Sequence, residues 1–84
     1  MTDAELLEAI QRAIRSETGD DSTAITVETT AADVAGWDSL AHGRIMLTLE
    51  VELGGRIDIE KTYSATKVGE LIPILRSAID GAGR

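Results

Sequence analysis

An acid, a hydroxyl and the only histidine of the chain, Asp38, Ser39 and His42, fall within five consecutive residues of the run Gly36-Trp37-Asp38-Ser39-Leu40-Ala41-His42. A serine nucleophile needs a base within hydrogen-bond reach, a third group that orients the base, and a water-shielded pocket. On a helix at about 100° per residue, His42 lies about 300° of rotation from Ser39, on the core-facing side near Met46. A chain of 84 residues also has little room for a substrate cleft. The spacing argues against a hydrolase, and His42 reads as a partly buried ring near the helix start, hydrogen-bonded to a loop group. Ser39 keeps two readings. It is an N-cap beside Asp38, since Ser and Asp are among the best caps, or it is a point of attachment. Trp37 reads as an anchor of the preceding loop, because Trp buries a large apolar area at low entropy cost.

These residues need elements to position them. Thr2 and Glu5 have capping-box spacing, and Leu6, Leu7, Ile10, Ala13 and Ile14 recur on one face, so a helix is expected from Asp3 to Glu17, stopping near Gly19. About twenty residues rich in Thr, Asp and Ala follow, with Ile25, Val27, Val34 and Trp37 as apolar pins and a short helical turn near Thr30 to Val34. Ser39 to Leu53 is the clearest helix, ending at Gly54-Gly55. Ile57 and Ile59 suggest a very short extended piece, and Glu60 to Tyr63 a single helical turn. Thr66 is the expected cap of a last helix carrying Val68, Leu71, Ile72, Leu75, Ala78 and Ile79, with Pro73 bending it or loosening its first turn. The tail, residues 81–84, is expected to fray. The expected fold is all-α: a small four-helix bundle of three longer helices and one short, with a long loop between the first two, as one domain over residues 1–84.

Composition narrows the function classes. Eight Lys and Arg against fifteen Asp and Glu leave a net charge of −7, which repels nucleic acid and anionic membranes and favours cationic protein partners. Without cysteine and with one histidine, neither a thiolate nor a clustered histidine metal site is expected. No basic segment leads into an apolar run and no stretch of about eighteen apolar residues occurs, so the expected location is the cytoplasm.

The Ser39 to Leu53 segment carries two apolar stripes. Ile45, Met46, Leu49 and Leu53 cluster on one side; Leu40, Leu47 and Val51, with Gly43 beside them, lie roughly opposite. Only three long helices are available to cover both. The second stripe therefore reads as an exposed contact surface that starts at Ser39, rather than as part of a helix buried all round.

Gly-Trp-Asp-Ser-Leu at 36 to 40, followed by a helix ending Leu49-Glu50-Val51-Glu52-Leu53, resembles the attachment motif of the acyl carrier proteins. The resemblance extends to the first helix, the long loop, a short third helix near Glu60 to Tyr63 and the Thr66-Lys67-Val68 start of the last helix. It implies that Ser39, flanked by Asp38 and Leu40, carries a 4′-phosphopantetheine arm placed by a phosphopantetheinyl transferase. It further implies a monomeric, free-standing carrier with no catalysis of its own, holding acyl intermediates as thioesters for polyketide, fatty-acid-like or other specialised biosynthesis. An acyl-loading ligase or acyltransferase and synthase or tailoring enzymes would be its partners, with no nucleic acid and no membrane among them. A peptidyl or aminoacyl carrier, or an unmodified helical interaction module, are the alternatives. Cargo would lie outside or fold back among Met46, Leu47, Ile59 and Tyr63.

Three departures from that family, at Gly43, Arg44 and Val51, bear on partners. Members commonly have a bulkier apolar residue where Gly43 stands, so its absence is expected to open space beside the arm or admit a partner's backbone. Arg44 introduces a positive charge on a face where many fatty-acid carriers are acidic. Partner contacts are expected at Leu40, Gly43, Arg44, Leu47, Glu50 and Val51, which favours a dedicated enzyme over housekeeping fatty acid synthesis.

Overall fold

Thr2 and Glu5 bond reciprocally, amide of Thr2 to the Glu5 carboxylate at 2.8 Å and amide of Glu5 to the Thr2 hydroxyl at 3.2 Å. From this box α1 runs Asp3–Thr18 and ends at Gly19, whose φ of 76° gives a left-handed stop. The computed structural model of the chain describes residues 1–82. Helix α2 covers Ser39–Leu53, α3 is the single turn Ile59–Thr62, and α4 covers Leu71–Ala82. Two 3-10 turns, Ala31–Asp33 and Val68–Glu70, complete the described order, with no strand among the described residues. The expected extended piece at Ile57 and Ile59 is absent: Ile57 is buried in the core and Ile59 opens α3.

One core joins the elements. Leu6, Ile10 and Ile14 of α1, Ile45, Met46 and Leu49 of α2, and Leu75 of α4 are all fully buried. A core of Leu, Ile and Met owes its stability to non-directional burial, of the order of 1.5–3 kcal/mol per large side chain. Its partners are set by which helical faces meet.

The long connection, residues 19–38, is held at fixed points. Asp20 accepts from the Ser22 and Thr23 amides and both their hydroxyls, then from the Ala35 amide at 3.1 Å. These bonds, the Thr23 hydroxyl foremost, hold its carboxyl below the usual carboxylate range. Farther along, Val68 N–H donates to Thr29 O at 2.8 Å and Gly69 N–H to Val27 O at 2.9 Å. Ile25 and Val34 are buried pins, but the Val27 side chain is 44% exposed, so this residue is tied through its carbonyl.

The start of the last helix differs from expectation. Thr66 does not cap it; its hydroxyl and amide donate to Glu70, and the helix is entered through the 3-10 turn Val68–Glu70. Pro73 consequently sits in the first turn of α4, where the missing N–H costs least. Gly81 and Ala82 are helical, and the rest of the expected frayed tail, 83–84, lies outside the described residues.

Candidate functional site

The loop turns into α2 at Gly36, whose φ is 86°. Asp38 follows with an extended backbone, and its Oδ1 accepts the Ala41 amide at 2.8 Å. Asp38 is therefore the N-cap and Ser39 the first helical residue, which removes the capping reading of Ser39. Ser39 is exposed, and among the described residues no hydrogen bond engages its hydroxyl. Its carbonyl is held, accepting from the Tyr63 hydroxyl at 3.1 Å. A serine in the first turn of a 15-residue helix stands at the positive end of the dipole, where an attached phosphate is favoured.

His42 faces inward and is 8% exposed. Trp37 Nε1–H donates to its Nδ1 at 3.1 Å, and its Nε2 lies 2.7 Å from the Thr62 hydroxyl. Since Trp37 can only donate, Nδ1 is the acceptor and Nε2 carries the hydrogen toward Thr62; the Thr62 hydroxyl passes its own to Ile59 O at 2.5 Å. Burial pushes the imidazole pKa down, which keeps the ring neutral. Both ring nitrogens are engaged away from the Ser39 hydroxyl, so Ser39 and His42 do not form a nucleophile and base pair. Trp37, half-buried, anchors the loop to α2 as its size suggested.

A cavity of about 280 Å³ opens beside the serine. Ser39, Trp37 and His42 form one wall, Thr62 and Tyr63 a second, and Thr66, Lys67, Val68 and Leu71 the far side. Of the residues expected to line a cargo space, Tyr63 does so, whereas Met46 is sealed in the core and Leu47 and Ile59 lie elsewhere. The Lys67 ammonium in this wall pairs with Glu28 at 3.0 Å, which raises its pKa. The larger cavity, about 550 Å³ between α3 and α4, does not reach Ser39.

The second stripe of α2 is open to solvent: Leu40 is 75% exposed, Leu47 54% and Val51 86%. The other three expected contact residues, Gly43, Arg44 and Glu50, also have neighbours within the chain. Gly43 leaves no open slot, because a Cβ there would meet the Tyr63 hydroxyl at an ordinary 3.5 Å. Arg44 Nε lies 3.5 Å from Glu17 of α1, a surface pair in which the Arg44 side chain remains 54% exposed. Glu50, half-buried, accepts the Ile57 amide at 2.8 Å and ties α2 to the α2–α3 connection.

Thr62 and Lys67 escaped the sequence reading. Thr62 meets His42 across twenty residues, and nothing in the chain marks that pairing before the helices pack. The sharpest available signal was a threonine set beside the lone tyrosine of a chain with very few aromatic residues.

No family model and no curated protein matches the sequence. Among solved structures, the chain is similar to the solution structure of a holo acyl carrier protein from Geobacter metallireducens. The two share 29% identity over 89% of this chain and 86% of that one, with a TM-score of 0.75. Across most of its length the chain therefore resembles the acyl carrier proteins and has their fold.

Proposed function

We propose that this chain, which has the acyl carrier protein fold, is a single carrier domain that holds acyl or related intermediates on a 4′-phosphopantetheine attached to Ser39. The observation that carries the reading is the division of labour at the head of α2: Asp38 caps the helix and leaves the Ser39 hydroxyl exposed, with no hydrogen bond to it among the described residues. The likeness to a holo carrier of the same fold supports it. When attached, the group supplies a thiol that holds cargo as a thioester. The chain contributes the acceptor hydroxyl, a helix terminus that favours phosphate, and the rigid loop that presents both. Catalysis belongs to partners: a phosphopantetheinyl transferase, an acyl-loading ligase or acyltransferase, and synthase or tailoring enzymes, acting in the cytoplasm in a specialised pathway.

Partners would read the exposed stripe of Leu40, Leu47 and Val51, whose three large apolar side chains lie uncovered in an 84-residue domain. Intact mass after incubation with coenzyme A and a broad-specificity transferase tests the attachment. A gain of one phosphopantetheine that disappears in Ser39→Ala supports it. Folded protein without any gain rejects it and leaves an unmodified interaction module.

A further inference from the structure

The histidine, the tryptophan and the tyrosine of the chain, one of each, surround the head of α2. The Trp37 and His42 rings are inclined by only 15° with centroids 5.9 Å apart, the geometry of an edge-on hydrogen bond. On its other side His42 lies 4.4 Å, centroid to centroid, from Tyr63, the residue that holds the Ser39 carbonyl. Thus Ser39 is approached from both directions, through Trp37 two residues earlier and through Tyr63 on α3.

We infer that His42 is a positioning residue for Ser39: its neutral, Nε2-protonated imidazole locks the incoming loop to α3, and its protonation releases that lock. The chemistry follows from donor counting. Trp37 Nε1 has no acceptor capacity, so a hydrogen added at Nδ1 opposes the indole N–H and the bond at 3.1 Å is lost. The Thr62 side needs no such change, because Nε2 already donates there. Protonation therefore breaks one specific link, between α2 and the loop that ends at the serine.

The other charged and titratable groups around the ring do not compete for it. Asp38 accepts the Ala41 amide, Lys67 of the α3–α4 connection pairs with Glu28, and Tyr63 donates to Ser39. From α1, Glu17 is taken by Arg44 and by the Thr48 hydroxyl. Among the described residues no carboxylate is hydrogen-bonded to the ring, in keeping with a pKa lowered from the ordinary 6.5 by burial. For a lowered value the sign is definite: the lock is complete above pH 6.5 and is lost as pH falls through the folded-state pKa.

The consequence for loading rests on Ser39 being the attachment point, so the test has two arms. In the first, the unmodified protein is titrated by NMR, following the His42 ring, the Trp37 Nε1–H and the Ser39 amide. A shared midpoint below pH 6.5 is expected. An imidazole that titrates while the other two stay fixed overturns the lock. In the second arm, transfer from coenzyme A is measured for wild type, His42→Phe and His42→Asn. Taking variant-to-wild-type ratios cancels the pH response of the transferase. At pH above 7, His42→Phe should lose about two- to ten-fold in kcat/KM, the worth of one net hydrogen bond, and the deficit should vanish in acid. His42→Asn, which can still accept from Trp37 without titrating, should run close to wild type above pH 7, and its ratio to wild type should rise above one in acid as the wild-type lock is lost. A pH-independent ratio for His42→Phe overturns the positioning role. Wild type that gains no mass at any pH rejects the attachment reading, while the first arm still judges the lock. Should His42→Phe fail to fold, the wild-type titration decides.

Discussion

The two apolar stripes of α2 are built from the same kinds of residue and meet opposite fates. Ile45, Met46 and Leu49 are completely buried, whereas Leu40, Leu47 and Val51 are more than half exposed. Side-chain hydrophobicity does not separate them; the supply of covering helices does. Helix α1 packs along one side of α2, with α4 joining the same core, and α3, a single turn of Ile59–Thr62, is too short to cover the other. What stays uncovered begins at the serine and runs along the helix, which places an attachment point and a contact surface on one rigid element.

The comparison can be broken by exchanging the stripes' consequences. Leu49→Ala should cost about 2–5 kcal/mol in denaturant unfolding, since it removes a fully buried side chain and leaves a cavity. Leu47→Asp should change stability by no more than about 0.5 kcal/mol and yet abolish acylation by the cognate loading enzyme. Equal destabilisation of the two would show that Leu47 belongs to the core.

A smaller contrast lies between two glycines, one inside α2 and one just past its end. At Gly55 a Cβ would come within 2.5 Å of Ala78 O on α4, so Gly55→Ala should lower the unfolding midpoint by the equivalent of about 1–3 kcal/mol. The cap is next in size: Asp38→Ala removes the acceptor of the Ala41 amide and should cost about 1 kcal/mol, with fraying of α2 visible as faster amide exchange at Ala41. The smallest effect is a gain. Gly43→Ala meets only the Tyr63 hydroxyl at 3.5 Å and should stabilise α2 by up to about 1 kcal/mol, read as a raised thermal midpoint. A loss there would mean that Tyr63 cannot give way, and that the glycine is needed for its contact with Ser39.

Much of the frame was legible in the chain itself. The Thr2/Glu5 box and Gly19 bound α1 because caps are local devices, satisfied by residues three or four apart. Ser39–Leu53 was legible for the same reason, and its two stripes followed from helical periodicity alone. Local rules failed where two local solutions compete. Thr66 had the composition of a cap, but Glu70 draws its donors and the backbone enters α4 through a 3-10 turn tied to Val27 and Thr29 of the distant loop. The partners of Arg44 and Glu50, Glu17 and the Ile57 amide, were not legible because they lie outside α2.

At the site the division is the same. Sequence determined that an acid and an exposed serine open a helix, that a tryptophan precedes them, and that the histidine turns inward, since all four follow from helix phase and capping chemistry. Tertiary structure alone decided that His42 links Trp37 to Thr62, that Tyr63 holds the Ser39 carbonyl, and that a cavity of about 280 Å³ stands beside the serine. Those bonds join residues five, twenty and twenty-four positions apart, and the two longer ones exist only once the covering helices have fixed where α3 sits.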